Sequence, residues 1–172
     1  MSPAAVPLLR IPVGVVVERR KTDSPWIDFV WRPIGVLPDE PELEPWTVLR
    51  EEGEATLYYA GSAAIELYRS ETARYRENFL THLPSVWLVL SPSGGPWPYA
   101  VAAVTVDPAE GEAFTHAGAN LVETVPMPEI LCDTIEKFVA EHHVETEFFK
   151  RKRSRTDPEA LARRHHDEGG HE

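Results

Sequence analysis

The run IPVGVVVERR, residues 11–20, is dense in β-branched side chains and closes on charge, a pattern that predicts a first strand buried on both faces. After a KTDSP turn, WIDFVWRPIGVLP (26–38) alternates large apolar with polar positions. Pro33 lacks a ladder donor there, so this piece reads as a bent strand or two short ones, with the proline at a bulge or edge. PDEPELEPW (38–46) carries three prolines and four acids and reads as an exposed loop. Three strands follow over 46–50, 55–60 and 63–68, with a hairpin between the last two through Gly61-Ser62.

Periodicity does not decide between a helical turn and a strand for TARYRENFLTHLP (72–84). SVWLVLSP (85–92) and YAVAAVTVDP (99–108) are clear strands around an SGGPWP hairpin loop, and EGEAFTHAGANLVETVPMP reads as a short crossover. From Pro128 the period changes. Ile130, Leu131, Ile135, Phe138, Val139 and His142 fall on one helical face, Glu129, Asp133, Glu136, Lys137 and Glu141 on the other, with Pro128 at the first helical position. The fold expected is α+β: a mainly antiparallel sheet, or partly closed barrel, with one C-terminal helix packed across it. Residues 1–10 form an N-terminal arm, 11–149 a single globular domain, and 150–172 a basic segment with a polar, His-containing tail expected to be disordered.

Charge alters this picture at one place. The 172 residues carry a formal net charge of −11, yet residues 1–149 hold −13 and residues 150–172 hold +2. Lys150, Arg151, Lys152, Arg153 and Arg155 crowd into six positions directly after Phe148 and Phe149. The acidic body repels phosphates, and no stacking aromatics interleave with the cations, so nucleic acid is disfavoured as a partner. A docking segment for an acidic protein surface is the alternative, beside a plain charge bias after a helix end. The single Cys132 excludes an intrachain disulfide and fits a reducing compartment. With no signal-peptide pattern and no apolar run near eighteen residues, the expectation is a cytoplasmic protein without a membrane partner.

Chemical motifs are sparse. The glycines of SPSGGPWPY lack the lysine and spacing of a phosphate loop, and neither Gly-x-Ser-x-Gly nor His-Glu-x-x-His occurs. No catalytic residue, metal site or cofactor is therefore assigned. Neighbouring helical residues point about 100° apart, so His142 and His143 do not share an ion; His142 is read as capping the helix end and His143 as solvated. His165, His166 and His171 offer only weak chelation. Glu129, Asp133 and Glu136 surround Cys132 in sequence and oppose a thiolate, leaving an inert thiol. Trp26, Trp31 and Trp97 stand beside prolines and are candidates for an exposed aromatic patch suited to protein recognition. Arg74, Arg76 and Glu77 near Tyr75 form either a polar site or a solvated face.

The stretches WIDFVWRPIGVLP, PWTVLREEG and NFLTHLPSVWLVL, and above all VPMPEILCDTIEKFVAEHHVETEFFKRKR, resemble an uncharacterised bacterial family, a domain of unknown function, over roughly residues 9–155. Genes of that family commonly lie beside those for molybdenum-dependent formate dehydrogenase and its maturation factors. Some members have been labelled molybdopterin-guanine dinucleotide biosynthesis proteins. This chain lacks the glycine-rich loop such a nucleotidyltransferase needs, since ERRKTDSPW follows its first strand. The resemblance implies a pathway and no reaction; taken with the lack of catalytic motifs, the acidic body and the basic segment after a helix, the expectation is a non-catalytic accessory protein that assists assembly or maturation of formate dehydrogenase by binding one of its subunits or a maturation factor. Phe148 and Phe149 would anchor in an apolar groove while Lys150, Arg151, Lys152, Arg153 and Arg155 meet acids. The alternative is a small cofactor-binding or molybdopterin-related enzyme with a pocket between sheet and helix.

Overall fold

The computed structural model describes residues 5–81 and 83–143. Two antiparallel sheets face one another. The first has strand order β2-β1-β4-β3, built from β1 (Leu9–Lys21), β2 (Phe29–Leu37), β3 (Thr47–Glu52) and β4 (Ala55–Leu67). The second has order β6-β5-β7, from β5 (Ser85–Pro92), β6 (Tyr99–Thr105) and β7 (Leu121–Pro126). Along the seams β4 lies next to β6 and β2 next to β7, without closing a barrel.

The β-branched run of β1 earns its central place. Val13, Val15 and Val17 are fully buried between β2 and β4, and together with Ile65, Leu67, Val86, Leu88 and Leu90 they make the core between the sheets. Each such side chain contributes roughly 1.5–3 kcal/mol by leaving water. Pro33 sits on the edge strand β2 at a register shift, where Val16 faces Gly35 and Val17 faces Pro33, so its missing donor falls at a bulge.

The hairpin expected at Gly61-Ser62 is absent. Residues 55–67 form one strand because both halves pair with the thirteen-residue β1. Gly61 instead serves a bulge: Val15 pairs with Gly61 and Val16 with Tyr59, and φ at Gly61 is +139°. The turn lies earlier, between β3 and β4, with Gly53 at φ +58°.

The single helix expected becomes three. A 3-10 turn (Arg69–Glu71) leads into α1 (Thr72–Phe79), which carries the chain from one sheet to the other; α2 (Pro108–His116) joins β6 to β7; α3 (Glu129–His142) follows β7. Helix α2 starts at Asp107, whose carboxylate accepts from the Ala109 and Glu110 amides, with Pro108 preset for the first turn. It presses Gly111 flat against the Trp87 indole. Helix α3 buries Leu131, Ile135 and Phe138, but Ile130, expected on that face, is 59 % exposed. The helix packs against α1, with the Tyr75 and Phe138 rings edge to face at 6.2 Å, and Pro128 is its N-cap.

Candidate functional site

Three elements meet around an open cleft of about 560 Å³: the end of β4 with the 3-10 turn, the first turns of α1, and the start of α2. Tyr68, Tyr75, Ala109 and Ala113 line it, and Glu66, Glu71, Asp107 and Glu110 supply four carboxylates against one guanidinium, Arg74. A neighbouring hollow of about 290 Å³ along the β4–β6 seam shares Glu66, Tyr68 and Glu110.

Asp107 is buried and fully engaged. One carboxylate oxygen caps α2, while the other accepts from Arg74 Nη1 at 3.3 Å. Arg74 also reaches Glu71 at 3.1 Å, and these neighbours hold its guanidinium charged above the usual arginine range, the hydrogen bond to Asp107 acting most strongly. The Tyr75 hydroxyl accepts the Tyr68 amide at 2.8 Å. Burial, chiefly, pushes its pKa up to about 12. Tyr68 donates its hydroxyl to Glu66, and that bond raises the Tyr68 pKa. Glu66 additionally pairs with Arg10 at 3.5 Å. Glu110 is raised by burial of its carboxyl, partly offset by a Thr105 hydrogen bond, and raised further by the charges of Asp107, Glu66 and Glu71. The net field of the cleft is thus negative, and its tyrosines are held as neutral phenols.

Of the polar trio read near Tyr75, Arg74 enters this cleft. Arg76 turns toward α3, with Nη1 3.2 Å from His143 Nε2. His143, expected to be solvated, is buried as the C-cap of α3, and its Nδ1 lies 3.2 Å from Thr72 Oγ1. The ring is drawn in because α3 crosses α1 at that point. His142 is half-buried, its ring 4.6 Å from that of Phe138.

Trp26 is 89 % exposed ahead of β2. Trp31 and Trp97 are half-buried instead, in a four-ring cluster with Trp46 and Tyr58 whose centroids lie 5.2–6.3 Å apart, and Trp26 shares no ring contact with it among the described residues. Burial and stacking hold Trp46 at φ +69°, a conformation costing a bulky side chain roughly 1–2 kcal/mol. The Arg19 guanidinium lies over Phe29 at 4.3 Å and Tyr58 at 5.5 Å, extending the cluster as a cation–π stack. Cys132 is half-buried, and burial followed by Glu136, Asp133 and Glu129 raises its thiol, as the sequence implied.

Phe148, Phe149, Lys150, Arg151, Lys152, Arg153 and Arg155 lie outside the described residues, as do His165, His166 and His171 and the boundary assigned at residue 149. Among the described residues, no group of three or more His, Cys, Asp or Glu converges to hold a metal ion, and no helix is long and apolar enough to cross a membrane. Sequence reading missed Glu66, Tyr68, Asp107 and Glu110 as a set. Only Asp107-Pro108 carried a local signal, that of a helix start.

Residues 12–153 match the family described as a protein of unknown function, DUF3305, and the chain belongs to that family. No curated protein and no solved structure matches it.

Proposed function

We propose that this member of an uncharacterised family is a non-catalytic accessory protein that binds a subunit or maturation factor of a molybdenum-dependent formate dehydrogenase and assists its assembly. The observation that carries a binding role is the cleft itself: open, net negative, and built from groups tied into the scaffold. Asp107 spends its acceptors on α2 and Arg74, and the Tyr75 hydroxyl accepts the Tyr68 amide, so these groups define a shaped surface more readily than a proton relay. Such a surface suits cationic side chains of a protein partner. The pathway rests on the resemblance to a family encoded beside formate dehydrogenase, together with membership of a family of unknown function.

The test is co-expression with formate dehydrogenase subunits and maturation factors, affinity capture at moderate salt, and identification of retained chains by mass spectrometry. A stoichiometric partner, weakened at least about tenfold by Glu66→Gln with Glu71→Gln, supports the reading, that loss being the ~1.4 kcal/mol expected when charge-assisted contacts go. Capture of none of these proteins refutes it. The second reading, a cofactor-binding domain, draws on the cleft volume, which falls within the range of small-molecule sites. Pterin fluorescence co-purifying with the chain would favour it.

A further inference from the structure

We infer that the cleft is a docking groove for the chain's own basic segment, Lys150 to Arg155, which covers it until a partner displaces that segment. This inference rests on the cleft being a recognition surface, and it adds the occupant and the regulation.

Three features converge. The first is charge: the lining holds four carboxylates and one guanidinium, net −3, while the segment brings five cations in six positions. Glu110 has no cation partner among the described residues, and Glu66 and Glu71 each share one arginine. The second is the surface between the charges. Tyr68, Tyr75, Ala109 and Ala113 give a partly apolar lining that accepts the stems of lysine and arginine, or the rings of Phe148 and Phe149.

The third is where the described chain ends. His143 is seated on Thr72, with 3.2 Å between Nδ1 and Oγ1, and Thr72 is bonded in sequence to Glu71 of the cleft wall. Six residues lie between His143 and Lys150, so seven residue steps give a tether of up to roughly 25 Å at full extension. The segment is thus delivered beside the groove at an effective concentration of order millimolar. An acidic protein carrying one concentrated cation run acquires a reason for that run: it neutralises the groove internally and yields to a competitor with a better-fitting basic surface.

The experiment uses the full chain and a fluorescently labelled peptide, EFFKRKRSR (147–155), read by anisotropy at low and high salt without any partner. In the variant with Lys150, Arg151, Lys152, Arg153 and Arg155 all changed to Gln, the groove is vacated and the peptide binds. In the unaltered chain the peptide binds at least about tenfold more weakly, because the tethered copy competes. Adding Glu66→Gln, Glu71→Gln and Glu110→Gln to the neutralised variant abolishes binding, as does ~0.5 M salt. Asp107 is left intact because it caps α2. Equal affinity for the unaltered and neutralised chains overturns the inference, as does undiminished binding to the variant with the three glutamates changed. Because no partner is present, such failures leave the capture experiment as the separate judge of partner binding. A melting temperature within a few degrees of the unaltered chain verifies that each variant folds.

Discussion

Replacing Asn78 by alanine removes a side chain that is 2 % exposed and makes three hydrogen bonds. Its Nδ2 donates to the Ser85 carbonyl at 2.8 Å and to the Val106 carbonyl at 3.0 Å, and its Oδ1 accepts the Ser85 amide at 2.9 Å. One residue near the end of α1 therefore holds the start of β5 and the chain leaving β6, one residue before Asp107. At about 1 kcal/mol net per bond, the loss is about 3 kcal/mol, with the upper end reached if the backbone groups left behind find no water. For a chain of this size that lowers the melting temperature by about 6–12 °C. Urea unfolding followed by far-UV circular dichroism measures it, with the slope against denaturant required to stay constant so that the shift reports stability alone. Asn78→Asp is the informative companion. It keeps an acceptor for the Ser85 amide, but its ionised form turns an acceptor toward two carbonyls, so it should be at least as damaging at neutral pH and recover in part when protonated. A loss below about 0.5 kcal/mol for Asn78→Ala would refute the assignment of Asn78 as the tie between the helical layer and the second sheet, since that is the range of an unconnected surface site.

Gly111→Ala should destabilise despite alanine's helix preference of about 1 kcal/mol, because the new Cβ would overlap the Trp87 indole, and overpacking a rigid ring costs about 1–3 kcal/mol; a thermal melt showing net stabilisation would contradict the packing. Glu110→Gln tests the negative field of the cleft. In the chain with Lys150, Arg151, Lys152, Arg153 and Arg155 changed to Gln, where no docked cations offset the field, the folded carboxyl titrates above the usual value of 4.5, so its ionisation as pH rises opposes folding, and adding Glu110→Gln should raise the melting temperature at neutral pH with the advantage vanishing below about pH 4.5; an advantage that persists unchanged at low pH would point to another cause. Cys132 should react with a disulfide reagent at pH 8 at least about tenfold more slowly in the folded chain than in urea, since burial and three nearby acids hold it as a thiol; equal rates would place it in a different environment.

The local code was strongest where one element's own pattern decides its state. β1 could be read from its β-branched run, α3 from its period of 3.6, and the bulge at Pro33 from the missing amide hydrogen, because each signal lies within the element itself. Helix α2 was legible in principle: Asp107-Pro108 with Glu110 is a helix start, although the residues read as a strand end and a crossover. Gly61 shows the limit. Flanked by strand-forming residues, it fits a hairpin equally well by local chemistry, and the choice fell to β1, which is long enough to pair with both halves of β4 and turns the glycine into a bulge. His143 and Ile130 exchanged their expected exposures for a similar reason: the direction in which α3 crosses α1 selects the buried face, and a period alone leaves its edges open.

By itself the sequence determined an α+β chain with an antiparallel core, membership in a family of unknown function, and the separation of an acidic body from a basic run. Tertiary structure alone decided that Glu66, Glu71, Arg74, Asp107 and Glu110 share one cleft. They come from β4, the turn after it, α1 and α2, up to 44 positions apart in the chain. Their meeting depends on the facing of two sheets and the capping of α2 at Asp107. Charges on separate elements carry no periodic signal of their convergence; only the packing that carries the elements together brings their fields to one place.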